Sequence, residues 1–265
     1  LIKAQPAALL TQADSLARAG AYFEASVAYE RVLFAAVDTD LSYRAALGKT
    51  QCLKRQQLFG PAVTFLNGQL TAPYPDSLRY QLRYEQVLCL YLAGQFENTL
   101  AGLRQLAYLH PTRQRPPVLH LIEVLSLNEL QRWPEAAQSY RTYLNTLGID
   151  TTSDDPYRHL PRLKSEKKAQ WLSTFIPGAG HVYAGKPAEA LLSLGMQAAG
   201  LYFGITSFLQ AYYISAWGIG AALFGSFHMG GVRRAEVLVQ QHNRKKIRSF
   251  NERIRGDLLQ RAGRH

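Results

Sequence analysis

The chain has 265 residues and a formal net charge of +11, enough length for one large domain or two modest ones. The charge is uneven: residues 1–150 carry 14 basic and 12 acidic side chains, residues 151–265 carry 16 and 7. A basic excess confined to one half points to a local anionic surface and excludes reading the whole chain as a nucleic-acid binder from its isoelectric point.

The first residues, Leu1-Ile2-Lys3-Ala4-Gln5, fit the remainder of a secretory signal with a small residue before the cut, and fit simple trimming equally well. Beyond them the chain repeats. An aromatic recurs every 37 residues, at Tyr22, Phe59, Phe96 and Trp133. Three positions after each comes a small residue (Ala25, Ala62, Thr99, Ala136), and six before each comes leucine (Leu16, Leu53, Leu90, Leu127). Seven after come Tyr29, Leu66, Leu103 and Tyr140; eleven after come Leu33, Leu70, Ala107 and Leu144. Self-similarity at a fixed period marks a repeat architecture. Within each copy the spacing predicts a helical hairpin, as Ala25, Tyr29, Val32 and Leu33 share one helical face. The small residue is where the two helices come closest. Gly20 and Gly94 suit the turn before the second helix, because glycine accepts positive φ at little cost.

On Ala19-Gly20-Ala21-Tyr22-Phe23-Glu24-Ala25 with Tyr29, on Ala93-Gly94-Gln95-Phe96-Glu97, and on Trp133-Pro134-Glu135-Ala136-Ala137 with Tyr140 and Leu144, residues 6–147 resemble four tetratricopeptide repeats. The family repeat is about 34 residues, so the extra length is expected in the turns between copies. The second copy departs furthest, with Gln57 in place of the turn glycine and Gly60-Pro61 after its aromatic. The resemblance implies a superhelical stack whose concave side binds peptides or protein surfaces, through Arg44, Gln51, Lys54, Arg55, Gln81, Tyr84, Tyr91 and Asn128. The competing reading of these eight is as ordinary solvated helix positions.

Residues 148–170 read as a turn-rich, basic linker, with Thr151-Thr152-Ser153-Asp154-Asp155-Pro156 followed by Arg158, Arg162, Lys164, Lys167 and Lys168. Residues 171–232 follow as a hydrophobic hairpin. Ala190 to Val232 holds no Asp, Glu, Lys or Arg over 43 residues, and a bilayer core needs about 20 per helix. The expectation is two membrane spans, near Ala188–Leu209 and Tyr212–Gly231, paired through Gly200, Gly204, Ala216, Gly220, Ala221 and Gly225. The alternative is a buried hairpin in a soluble domain. The lead-in Pro177-Gly178-Ala179-Gly180-His181-Val182-Tyr183-Ala184-Gly185-Lys186 resembles that of small two-transmembrane-helix domains of bacterial proteins. It implies a membrane module, with Lys186 reaching toward headgroups.

Residues 233–265 predict a basic amphipathic helix. Ile247, Phe250, Ile254 and Leu258 form a stripe beside Arg244, Lys245, Lys246, Arg248, Arg253 and Arg255. Beside a span, this pattern fits a helix lying on anionic lipid, with Lys186, Arg233, Arg234, Lys245, Lys246 and Arg248 as the membrane-surface set. Nucleic-acid binding and packing of the stripe on the repeats are the alternatives. Both flanks of the spans are basic, which favours a cytoplasmic face for the repeats. The possible signal remnant and the resemblance to exported bacterial proteins favour the periplasmic face instead.

Chemistry is sparse. Cys52 and Cys89 exclude a disulfide framework and a four-cysteine zinc site. The seven histidines show no metal-ligand spacing, and no nucleophile–base pairing emerges, so neither catalytic residues, a metal nor a cofactor is expected. The sequence therefore predicts an all-α, non-enzymatic protein: a tetratricopeptide-like solenoid, a transmembrane hairpin and an amphipathic C-terminal helix. The expected role is a membrane-anchored scaffold or adaptor for other membrane or envelope proteins in a bacterial assembly, secretion or membrane-insertion complex. The alternatives are a structural subunit of a larger membrane complex and a membrane-associated RNA-binding protein.

Overall fold

The computed structural model describes residues 5–149 and 155–262. The proposed signal remnant at positions 1–4, the linker turn at 151–154 and the last three residues lie outside the described residues. The described residues are all-α, with no strand among them, and they fall into two compact units. One runs up to Tyr157 and includes the chain's end from Leu258; the other spans Arg158–Asp257.

The first unit is built from eight helices: α1 Pro6–Arg18, α2 Tyr22–Ala35, α3 Thr39–Arg55, α4 Phe59–Gln69, α5 Asp76–Leu92, α6 Phe96–Leu109, α7 Pro117–Glu129 and α8 Trp133–Thr146. Each repeat aromatic is the first residue of an even-numbered helix, so the 37-residue register is a register of helical hairpins. The turn inside every hairpin is the same. One residue adopts left-handed φ two positions before the aromatic: Gly20 (81°), Gln57 (59°), Gly94 (72°) and Gln131 (58°). The next amide then donates back to the carbonyl of the repeated leucine: Ala21 to Leu16, Leu58 to Leu53, Gln95 to Leu90 and Arg132 to Leu127, at 2.9–3.0 Å. This closes the odd helix in a Schellman bond and reverses the chain within three residues. Glycine suits that conformation; in Gln57 and Gln131 the Cβ opposes it.

The small-residue column (Ala25, Ala62, Thr99, Ala136) is fully buried, and so are Tyr29, Leu66, Leu103 and Tyr140. The last column is less regular, since Ala107 is exposed and Leu106 is buried beside it. Core clusters join each hairpin to the helix that follows. Leu10, Ala13, Ala25, Tyr29 and Val32 pack with Ala45 and Cys52 of α3; Leu53, Ala62, Val63 and Leu66 pack with Leu82, Cys89 and Leu90 of α5. No hairpin buries its apolar face alone, so stability comes from stacking. The connections between hairpins are unequal: three residues separate α2 from α3, whose helix runs for 17 residues, and His110 to Pro116 separate α6 from α7, so the extra length expected in the turns falls there in only some copies.

The second unit holds α9 Glu166–Phe175, α10 Ala179–Ala184, α11 Pro187–Leu209, the short α12 Tyr213–Ser215, a π-helical turn Ala216–Ala221, and α13 Ala222–Ala262 as far as Asp257. One helix here, Pro187–Leu209, is long and apolar enough to cross a membrane. The second expected span does not stand as a separate helix ending at Gly231. From Tyr213 the chain stays helical without a break to Ala262, and the helix turns charged at Arg233. The Gly230-Gly231 pair lacks positive φ, so it marks a change of composition and not a stop. The amphipathic tail is therefore a continuation of the second arm.

The lead-in glycines have steric causes. Gly178 takes φ of +82° and begins α10, and Gly185 takes +89° and ends it. A Cβ on Gly180 would lie 2.2 Å from Ser173 Oγ and 2.3 Å from the Ala169 carbonyl, so only glycine lets α10 rest on α9. Ala169, Ala184, Ala235, Leu238 and Val239 form the core that results.

Candidate interaction sites

In the repeat unit a cleft of about 610 Å³ opens between α1, α2 and α3, lined by Asp14, Arg18, Tyr22, Tyr29, Gln51 and Arg55 among others. Its floor is fixed by Tyr29, whose hydroxyl donates to Asp14 Oδ1 at 2.6 Å. Its ring lies against α3, where a Cβ on Gly48 would approach it to 2.3 Å. Burial, then the hydrogen bond to Asp14, pushes the Tyr29 pKa up, so the phenol keeps its proton. Gln51 and Arg55 are exposed and line this cleft. Arg44 is exposed further back on α3, and Gln81, Tyr84 and Tyr91 are half-buried on α5.

Two of the eight expected contact residues are used internally. Lys54 pairs with Glu85 at 2.6 Å, with side chains 16% and 8% exposed, tying α3 to α5. A pair this covered joins successive hairpins and is not offered to a partner. Asn128 is 1% exposed, and its Oδ1 accepts from the Tyr157 hydroxyl at 3.0 Å. Tyr157 sits in a short 3₁₀ turn, Pro156–Arg158, inside the stretch expected to be plain linker. Its ring meets Tyr140 edge-on at 5.6 Å, and Arg141 holds the turn through Asp155 at 2.7 Å. Tyr140 occupies the repeat position of Tyr29, so Tyr157 covers the last hairpin as α3 covers the first. Nothing in the local pattern distinguishes this tyrosine, because its partners lie 17 and 29 positions away.

Cys52 and Cys89 are both buried and free. Burial pushes the Cys89 thiol up to about 11 and raises that of Cys52. Both are protonated, unreactive core groups near neutral pH.

In the second unit, α11 turns its large apolar side chains outward. Leu191, Leu192, Leu201, Ile205 and Leu209 are exposed, and on the facing arm Ile214 is 90% and Trp217 75% exposed. Its inner face is glycine on glycine: a Cβ on Gly220 would lie 2.4 Å from Gly204 Cα, and one on Gly200 3.2 Å from the Phe224 amide. Of the expected small-residue contacts, Gly225 makes none, since a Cβ there meets nothing within 4 Å. The polar groups inside this pair satisfy one another. Gln197 donates to Ser193 Oγ at 3.2 Å, and its Oε1 lies 3.2 Å from His228 Nδ1.

The expected membrane-surface residues divide as well. Lys186, Arg233, Lys245 and Lys246 are exposed. Arg248 pairs with Glu252 on its own helix at 2.9 Å, and Arg234 pairs with Glu189 of α11 at 2.9 Å. In the apolar stripe of the tail, Phe250, Ile254 and Leu258 have little exposed surface. The basic linker is also fastened down. The Lys164 amide and carbonyl bond the Asn243 side chain, each at 2.8 Å, while Lys164 Nζ donates to the Tyr183 carbonyl at 2.8 Å.

Among the described residues no three His, Cys, Asp or Glu side chains cluster as a metal site would require. No family model matches this chain, and no curated protein matches it in sequence.

Proposed function

We propose that the protein is a membrane-anchored protein-interaction scaffold of the bacterial cell envelope, with tetratricopeptide-type repeats held at the membrane by the hairpin of α11 and α12–α13. One observation carries the reading: a 23-residue helix, only 17% buried in its most apolar stretch, presents leucines and aromatics outward. Water does not tolerate a continuous face of that kind, whereas lipid does. The close glycine contact supports the same reading, because helices in lipid associate by backbone approach and not by hydrophobic exclusion. The repeat unit supplies the working surface. Its cleft at Gln51 and Arg55 combines a cation with amide and phenol groups, a chemistry suited to an acidic or extended segment of a partner protein.

The test is membrane fractionation of the full chain, followed by purification in mild detergent with and without Arg55→Glu. Retention in the membrane after alkaline washing, with substoichiometric partners that salt or Arg55→Glu removes, is the expected result. One stoichiometric complex, insensitive to both, replaces the adaptor by a structural subunit. Recovery of the chain without detergent refutes the anchor.

A further inference from the structure

At one end of the hairpin, where α10, α11 and α13 meet, lies a cleft of about 590 Å³ lined by His181, Glu189, Leu192, Ser193, Met196, Phe227, Gly231 and Arg234 among others. That size is typical of small-molecule sites, about 300–1,000 Å³. Three features make it a built site. First, His181 is 2% exposed, yet its Nδ1 is buried with no hydrogen-bond partner. An unsatisfied buried polar atom costs about 1–3 kcal/mol and calls for a ligand or a reason. Second, Ser193 Oγ accepts from Gln197 Nε2, which leaves its own O–H to donate. Third, Gly231 keeps the three groups together: a Cβ there would lie 3.0 Å from Ser193 Oγ and 3.8 Å from both Gln197 Nε2 and His181 Cε1.

The charges at this cleft select the ligand. Arg234 Nε bonds Glu189 at 2.9 Å, with side chains 50% and 34% exposed, and no hydrogen bond engages the Arg234 Nη groups among the described residues. A lone anion would meet Glu189, and a lone cation would meet Arg234, with the exposed Lys186 as a further positive charge acting on Glu189. A zwitterion satisfies both. The remaining walls, Leu192, Met196 and Phe227, are apolar and adjoin the outward apolar face of α11. Burial lowers the His181 pKa, with Glu189 raising it and Arg234 lowering it further. The imidazole is therefore a neutral hydrogen-bonding group and adds no cation to the site.

We infer that this cleft holds one zwitterionic phospholipid of the phosphatidylethanolamine type. Its phosphate lies on Arg234, Ser193 and His181, its ammonium on Glu189, and an acyl chain along Leu192, Met196 and Phe227. The inference rests on the membrane reading of α11 and goes beyond it, because bulk lipid solvation requires no headgroup selectivity. The full chain, purified in detergent, is mixed with equal amounts of phosphatidylethanolamine and phosphatidylglycerol, and retained lipid is counted by native mass spectrometry. The wild type retains about one phosphatidylethanolamine in roughly tenfold preference. Glu189→Gln, which keeps a hydrogen bond to Arg234, loses the preference or reverses it toward phosphatidylglycerol. Arg234→Gln weakens retention of both lipids by roughly tenfold, and the elution profile in detergent reports whether each variant is folded. Equal retention of both lipids by the wild type, or an unchanged preference in folded Glu189→Gln, overturns the site. Membrane fractionation separates that outcome from failure of the anchor, because a chain without a lipid site still partitions with membranes.

Discussion

The two units turn their helices with one device and fill the space between them with opposite materials. The Schellman turn of the repeats, with one left-handed residue and an amide returned to a carbonyl, recurs in the second unit. There Gly185 and Ala211 are left-handed, and the amides of Lys186 and Tyr212 bond the carbonyls of His181 and Ser207 at 2.9 Å. Between the helices the units diverge. The repeats bury Leu66, Leu82, Leu119 and Tyr140 between their helices, and leave Phe23, Phe34 and Val37 exposed. The hairpin of α11 puts glycine inside and leaves its leucines outside. Local backbone geometry is thus the same in both units, whereas the placement of bulk differs: water drives large apolar groups in, and on the proposed membrane reading of α11 lipid leaves that force absent.

That contrast can be broken at its contact points, and the hairpin is the most sensitive. Gly220→Leu places carbon on the Gly204 backbone, which cannot yield, and should cost about 3 kcal/mol or more. Loss of a monodisperse peak in detergent is expected, whereas Gly225→Leu, which meets nothing, elutes as the wild type does. A normal profile for Gly220→Leu would separate the two arms. In the repeats, Glu85→Ala strands the Lys54 ammonium in a covered position and should cost about 3–5 kcal/mol. Faster alkylation of Cys89, otherwise protonated and buried, reports the opening. The exposed pair Glu189–Arg234 should contribute about 1 kcal/mol or less to stability. Ala136→Leu overpacks the last hairpin by about 1–3 kcal/mol; an unchanged melting temperature would mean that the small-residue column is not a helix contact. Gln131→Gly should stabilise by about 1 kcal/mol through relief of the left-handed backbone, a gain readable in denaturant midpoint and absent if the turn is formed differently.

The repeat register was legible because a fixed spacing reports a recurring contact: the leucine column proves to carry the Schellman carbonyl and the small column the helix crossing. Gln57 and Gln131 were not legible as left-handed residues, because their neighbours impose the conformation against intrinsic preference. Of the eight expected contact residues, Gln51 and Arg55 line the cleft between α1, α2 and α3, whereas the fate of Lys54 and Asn128 is decided by Glu85 and Tyr157, 31 and 29 positions away. The end of the second arm was misjudged for a related reason: charge changes sharply at Arg233, yet a helix ends only where its backbone hydrogen bonds do. His181 and the Glu189–Arg234 pair gave no sequence signal, since their meeting depends on how three helices pack.

Tyr157 has a consequence for growth. A row of like hairpins has no natural last member, and its final face is shaped to receive another, including one from a neighbouring molecule. By laying one ring on Tyr140 and one hydroxyl on Asn128, Tyr157 covers part of that face with the chain's own residue. A chain lacking it would present the same sticky end that joins its own hairpins, and would add copies head to tail as its concentration rises.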